Sequence, residues 1–177
     1  AIAFEPYEFS KDRLFFAPYS YRDQGSIKSI LLGSSTDRYF YLDWYQVCKE
    51  LEQSVWTEPY YDTTGSKSLM VTYSVPFYRS AQGCKQFAGV VTVDITLDWL
   101  QEMISDLKLY QTGYALILSA TGTYICHPLE RLRCNETVFS LAEGLQNEEI
   151  WEIGRNMIDG KTGFIVRPSV RDNTESF

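Results

Sequence analysis

Apolar residues along this chain change period several times, and each change marks an element. Phe40, Trp44, Val47, Cys48 and Leu51 recur at helical spacing. They follow the helix-start cluster Ser34-Ser35-Thr36-Asp37, so the pattern predicts one helix of about 16 residues with a single apolar stripe. Tyr41 and Tyr45 lie one helical turn apart beside that stripe. Pro59 breaks any helix after it, and Thr63-Thr64-Gly65-Ser66 is turn material. Period two then takes over. Leu69, Val71, Tyr73, Val75 and Phe77 point one way while Met70, Thr72 and Ser74 point the other, which predicts a strand. Residues 80–85 hold a glycine and read as a hairpin loop. Residues 87–95 form the return strand, with Val91, Val93 and Ile95 on one face and Val90, Thr92 and Asp94 on the other. Long neighbouring strands joined by a short loop favour an antiparallel pair.

The rest of the chain repeats this alternation of helix and hairpin. Thr96 is placed to cap a helix whose stripe is Leu97, Leu100, Ile104 and Leu107, with Gly113 as its end. Residues 114–119 read as a strand, Ala120-Thr121-Gly122 as a turn, and residues 123–126 as the return, stopped by His127-Pro128. Asn147 can cap a last helix through Met157, and residues 164–166 read as a strand. Upstream, residues 27–32 read as a strand ending at Gly33, and residues 1–25 as loop with short extended pieces. Strands that pair locally with helices between them give an α+β class, not a doubly wound one.

Composition narrows the function. With 177 residues and 45% hydrophobic content there is enough chain for a real core, in one domain or two small ones. A net charge of −7 carries none of the basic footprint that nucleic-acid binding needs, and it disfavours docking on anionic lipid. Four cysteines (Cys48, Cys84, Cys126, Cys134) form no CxxC pair, and His127 is the single histidine, so neither a zinc site nor a c-type haem is expected. The cysteines read either as free buried thiols or, first among pairings, as a Cys126–Cys134 bridge closing a short loop. No phosphate loop, GxSxG elbow or Ser–His–Asp arrangement is present, and no enzyme activity or cofactor is expected. No apolar run reaches the length of a membrane span, and the opening AIAFEPYEF is no signal peptide, so the chain reads as a piece of something larger.

Four segments in order, DWYQ, VWTEPYYD, VTYSVPFY with GVVTVDITLDWL, and TGYALILSATGTYICHP, resemble the double-Cache family of bacterial sensor domains. The resemblance covers residues 40–128 most closely. It implies two stacked PAS-like modules, each an antiparallel sheet flanked by helices, outside the cytoplasmic membrane of a dimeric transmembrane receptor. Residues 1–108 would be the membrane-distal module, which holds the ligand, and residues 109–177 an incomplete membrane-proximal one. The family's long N-terminal helix is not in this sequence. The wording around residues 43–62 is most similar to receptors with a HAMP segment and a PP2C-type phosphatase output.

The amino-acid-binding branch of that family uses an Arg two residues before a Trp-Tyr pair, then Tyr-x-Asp, then an Asp on the later strand. Here Trp44-Tyr45, Tyr60-Tyr61-Asp62 and Asp94 match, while Leu42 stands at the Arg position. Leucine cannot grip a carboxylate. Arg38, one turn away, is the alternative source of a guanidinium. Two carboxylates with aromatic faces still attract an ammonium. The implied ligand-binding residues are therefore Tyr41, Trp44, Tyr45, Tyr60, Asp62 and Asp94, for an amine or amino-acid-like molecule. Each also has an ordinary structural reading. Trp44 can be core, Tyr45 and Tyr60 can bond backbone, and Asp62 can hold an Asx turn before Thr63-Thr64-Gly65. Asp94 is the sharpest of them, because a carboxylate inside an apolar strand needs donors. The competing reading is a structural or dimerisation module with no small ligand, responding to a partner protein, its mark a cleft plugged by its own side chains such as Tyr41 or Trp56.

Overall fold

In this computed structural model, which describes residues 1–81, 83–107, 109 and 113–166, a short strand β1 (Ile2–Phe4) is followed by a hairpin of β2 (Ala17–Asp23) and β3 (Ser26–Leu32). A 3-10 turn (Tyr39–Tyr41) leads into helix α1 (Asp43–Leu51). Short strands β4 (Val55–Trp56) and β5 (Tyr60–Tyr61) precede the long hairpin of β6 (Leu69–Ala81) and β7 (Cys84–Thr96). Helix α2 (Leu97–Ser105), the hairpin of β8 (Ile117–Leu118) and β9 (Tyr124–Cys126), and helices α3 (Val138–Gly144) and α4 (Glu148–Ile158) complete the described elements. The main sheet is antiparallel in the order β1-β7-β6-β4, with β5 pairing β6 farther along. The class is α+β, with antiparallel sheets flanked by helices.

The long hairpin has the expected alternation, but its polar face is the one turned inward. Thr72 pairs with Asp94 and Ser74 with Thr92, which puts these four side chains on one face at the centre of the sheet. Met70, Thr72 and Ser74 on that face are almost wholly buried. The opposite face carries Val75, Val91 and Val93, which are 37%, 39% and 60% exposed. Inward and outward are set by what covers the sheet. Helix α1 packs on the polar face, where Trp44, Tyr45 and Cys48 join Val90, Ala3, Ala17, Tyr39 and Phe40 in one apolar cluster. Apolar packing around the rim therefore encloses a polar centre.

Helix α1 is shorter than the expected 16 residues, and the reason is local. Leu42 is extended (ψ 150°), so Tyr39–Tyr41 form a separate turn and the helix begins at Asp43. The Tyr39 ring is buried, and its hydroxyl needs partners. It donates to Phe4 O at 2.6 Å and accepts from Phe16 N–H at 3.2 Å, which the separate turn makes possible. The helix ends at Glu52, in the left-handed region (φ 52°). Strand β2 lies in the stretch expected to be loop with short extended pieces, and it is longer than such a piece. It pairs with β3 through Gln24-Gly25, both at positive φ (46° and 81°), a tight turn that matches strand twist.

Farther along, Val71, Leu97 and Ile104 pack with Ile125 and Cys126 in a second cluster that ties α2 and β6 to β9. Gln101 Oε1 accepts from His127 N–H at 3.2 Å, and His127 O accepts from Arg133 Nε at 2.9 Å. A third cluster seats α3 and α4, with Val138 facing Gly154, where a Cβ would lie 2.4 Å from Val138 Cγ1. Thr137 and Ser140 form a reciprocal cap at the start of α3, an element the sequence pattern did not single out. Asn147 caps α4 as expected, accepting from Ile150 N–H at 3.1 Å. Residues 164–166 are not a strand. Phe164 is 93% exposed, and among the described residues no neighbouring strand pairs with this segment. Residues 110–112, between α2 and the next expected strand, lie outside the described residues. That strand is cut to β8, two residues long. All four cysteines are free thiols, with Cys126 and Cys134 in the same cluster. Among the described residues no helix is long and apolar enough to cross a membrane.

Tyr39→Phe strips one buried backbone donor and one acceptor of their partner. Urea unfolding should show a loss of about 1–3 kcal/mol. No change would mean that the turn before α1 does not depend on this hydroxyl.

Candidate functional site

Between α1 and the polar centre of the sheet lies a cleft of about 550 Å³. Its floor comes from β6 and β7, through Met70, Thr92 and Asp94. Trp44 and Val47 of α1 form one wall, and the segment from Val55 to Thr64 forms the other, bringing Trp56, Tyr60, Tyr61 and Asp62. Tyr19 of β2 closes one end, while Tyr41 and Leu42 stand at the mouth. Each wall follows from its local sequence. The α1 stripe turns Trp44 inward, and Pro59 forces the chain off helix so that β5 crosses to pair with Met70 and Leu69.

Asp94 is held by Thr72, whose Oγ1 donates to Asp94 Oδ1 at 2.8 Å, and the Tyr19 phenol stands near enough to feel the same carboxylate. Tyr60 OH lies 2.7 Å from Thr72 Oγ1. Thr72 spends its single proton on Asp94, so Tyr60 must be the donor of that bond. Tyr60, Thr72 and Asp94 thus form a directed chain that ends on the carboxylate. Burial is the main cause that pushes the Tyr19 phenol well above its usual range, with the Asp94 and Asp62 charges adding. Burial also pushes Tyr60 up to about 12, with help from the Asp94 and Asp62 charges. Both phenols stay protonated donors at neutral pH. Ser74 Oγ, on the same sheet face, is the buried side-chain polar atom without a partner among the described residues.

Asp62 behaves as the turn residue its sequence context suggests. Its carboxylate accepts from the backbone N–H of Thr64 (3.0 Å), Gly65 (3.0 Å) and Ser66 (2.7 Å), and from Ser66 Oγ (3.2 Å). It lines the cleft while its strong bonds face the loop. Tyr41, Trp44, Tyr60, Asp62 and Asp94 are brought together around one volume. Tyr45 is not among the lining residues. It is fully buried, and its hydroxyl donates to Glu5 Oε2 at 2.7 Å, where Lys49 Nζ also reaches Glu5 Oε1 at 2.8 Å. Arg38 does not line the cleft either. Its guanidinium sits over the Tyr41 ring, 5.9 Å from the centroid. The Ala1 nitrogen donates to Thr92 O and Thr92 Oγ1, both at 3.0 Å. Burial pushes that ammonium down, and Asp94 pulls it up.

Sequence reasoning missed Tyr19 and Thr72. Tyr19 had a usable signal, because Ala17, Tyr19 and Tyr21 alternate with Pro18, Ser20 and Arg22 ahead of a Gln-Gly turn. Thr72 had a weaker one, a polar residue in register with Asp94. Among the described residues no group of His, Cys, Asp and Glu is arranged to hold a metal ion.

Residues 1–102 match the family described as methyl-accepting chemotaxis protein-like, first PDC sensor domain. Methyl-accepting chemotaxis protein PscA of Pseudomonas syringae pv. tomato is 33% identical over 89 residues, covering 50% of this chain and 13% of PscA. TlpB of Bacillus subtilis, also named a methyl-accepting chemotaxis protein, is 33% identical over 112 residues, covering 62% of this chain and 14% of its own length. The chain thus spans less than a fifth of these relatives. Among solved structures, the extracellular domain of the histidine kinase mmHK1S-Z3 superposes with a TM-score of 0.71 at 27% identity, over 92% of this chain and 59% of that one. The ligand-binding domain of the Pseudomonas aeruginosa PAO1 amino acid chemoreceptor PctB, in complex with L-Gln, has a TM-score of 0.51 at 23% identity. That match covers 71% of this chain and 50% of PctB's, and it is a likeness of fold.

The raised Tyr60 gives an alkaline signature. In the unfolded chain this phenol ionises near 10, and in the folded chain near 12. A raised value means that its contribution to stability is whole below pH 10 and is lost as pH climbs toward 12. Urea unfolding at pH 9, 10 and 11 should show stability falling, and Tyr60→Phe should flatten part of the fall. An unchanged slope in the variant would place Tyr60 in a more open setting than the one described.

Proposed function

The chain belongs to the family of methyl-accepting chemotaxis protein-like first PDC sensor domains, and on that premise we propose that it is the extracytoplasmic ligand-sensing part of a bacterial transmembrane receptor. Its ligand is a small molecule, an amine or an amino-acid-like compound, taken into the cleft over Asp94. The observation that carries this reading is the open volume of about 550 Å³ above a carboxylate already held by Thr72. A site built in advance costs little reorganisation on binding. Asp94 receives the ammonium, Trp44 and Tyr41 offer ring faces, Tyr60 orients Asp94 through Thr72, and Asp62 adds negative charge. Tyr45 acts from the core by seating α1. PctB, in complex with L-Gln, is a precedent for small ligands on this fold.

Residues 1–108 would be the membrane-distal module and residues 109–177 part of the proximal one, on the periplasmic side of an inner-membrane receptor that pairs as a dimer. A ligand that binds one arrangement of the distal module better than another shifts the population, and α2 with its contacts to β9 carries the difference toward the second part. The competing dimerisation module expects a cleft plugged by Tyr41 or Trp56. These rings are 64% and 52% exposed and the volume between them stays open, which favours the sensor.

A thermal-shift panel of amines, amino acids and small carboxylates tests the reading. A true ligand at a hundred times its Kd adds about 2.7 kcal/mol, a rise in Tm of roughly 5–11 °C for a chain of this size. Asp94→Asn keeps an acceptor for Thr72 and should abolish the rise. A cooperatively melting chain that responds to no member of the panel would overturn the sensor reading.

A further inference from the structure

We propose that two copies of this chain join through the free edge of strand β3, in a twofold pairing centred on Ser29 that turns two hairpins into one four-stranded antiparallel sheet. Strand β3 pairs with β2 and with no other strand among the described residues. An edge left this way shows a row of unpaired backbone donors and acceptors, and proteins guard such edges with proline, charge or a bulge. β3 has none of these guards. It holds no proline, and its pairing with β2 runs without a shift of register. Its one charge, Lys28, is tied back to Asp23 within the same hairpin.

The turn decides which backbone groups face outward. Gln24 and Gly25 are both at positive φ, and a two-residue turn of this kind makes its flanking residues, Asp23 and Ser26, a hydrogen-bonded pair. Such pairs alternate along an antiparallel ladder. Tyr21–Lys28, Tyr19–Ile30 and Ala17–Leu32 are therefore bonded across the hairpin, while Arg22–Ile27, Ser20–Ser29 and Pro18–Leu31 are not. Pro18 has no N–H to give and falls in the second set, as it must. The N–H and C=O of Ile27, Ser29 and Leu31 thus point away from β2, and no hydrogen bond from the described residues takes them.

This edge is complementary to itself. With Ser29 opposite Ser29 of a second copy, Ile27 of each chain falls opposite Leu31 of the other. The outward N–H groups of each strand then meet the outward C=O groups of its mate, with none left over. Ile27, Ser29 and Leu31 share one side of the hairpin with Ser20, whose Oγ lies 2.8 Å from Ser29 Oγ. Pairing sets two Ile–Leu contacts around a row of serine hydroxyls, and both apolar side chains are exposed in the single chain. Like charges do not meet, because Lys28 falls opposite Ile30 of the second copy and keeps Asp23. The assembly also closes at two copies. Its outer edges are the β2 strands, where Pro18 removes an outward donor and Arg22 adds a charge, so no further strand is invited. One seven-residue strand per copy is less than a standard interface, which makes the dimer weak and concentration-dependent.

Sedimentation velocity of the chain from the micromolar to the millimolar range tests this. The expected result is a monomer–dimer equilibrium with no larger species. Ser29→Lys and Ser29→Asp each set like charges face to face across the twofold axis, and each should weaken the dimer about fivefold at low salt. An equimolar mixture of the two variants should regain a dimer at least as tight as that of the unsubstituted chain, because position 29 meets itself only in this register. Hydrogen exchange of the unsubstituted chain reads the same contact without any substitution. The amides of Ile27, Ser29 and Leu31 should slow as concentration rises, while those of Lys28 and Ile30, already bonded to β2, change little. A chain that stays monomeric at millimolar concentration would overturn the proposal and leave the edge to an extended segment of another protein. A dimer that forms without slowing those three amides, or that both Ser29 variants leave intact, would overturn it by placing the contact elsewhere, such as the exposed valines of β6 and β7.

Discussion

A carboxylate in the middle of a sheet, beneath a helix, is costly to desolvate unless donors reach it, and Asp94 organises its surroundings for that reason. Thr72 must sit directly across the ladder to donate to it, which fixes the register of the long hairpin to the residue. Tyr19 approaches the same carboxylate from a separate strand, β2, and its phenol is raised in part by that charge. Tyr60 must reach Thr72, and that requires the short strand after Pro59 to cross β6 at Met70. A change at any of these points leaves a half-buried carboxylate with fewer polar neighbours, so the parts of the arrangement depend on one another.

Apolar packing does its part around this polar centre. Tyr39, Phe40, Trp44, Tyr45 and Cys48 join Val90, Ala3 and Ala17 to hold α1 at a set height over the sheet. Phe15 and Phe40 stack with 5.7 Å between ring centroids at the edge of that cluster. The height matters because it keeps a volume open between Trp44 and Asp94 that further packing would close. The inward polar face costs stability in a fold whose outward face is apolar, and such a reversal is what a functional site looks like when local rules are broken for a purpose.

The sequence made much of this legible, and the limits have physical causes. Strands β6 and β7, helix α2 and the cap of α4 follow from strong periodicity and from Asn147, signals that tertiary context rarely overturns. The long helix expected from residue 34 onward failed because spacing alone does not register the hydroxyl of Tyr39, whose two backbone partners lie far away in sequence. Strand β2 is hard to read from sequence because its alternation is carried by Tyr19 and Tyr21 rather than by aliphatic residues. Residues 164–166 have the composition of a strand, but a strand needs a neighbour, and composition does not supply one. For the site, Asp94 stood out because a charge in an apolar run must be answered. Asp62 stood out through its motif, yet its donors were already implied by the Thr-Thr-Gly-Ser run that follows it. Which tyrosine answers Asp94 depends on strand docking between distant segments, and no local pattern carries that.

The most direct test of the account is a crystal structure of the chain with the tightest-binding amine. The account predicts the ligand nitrogen within about 3 Å of an Asp94 carboxylate oxygen, with its carbon chain against Trp44 and the bond from Thr72 to Asp94 kept. A ligand seated elsewhere on the molecule, or one in the cleft whose nitrogen points away from Asp94, would contradict it.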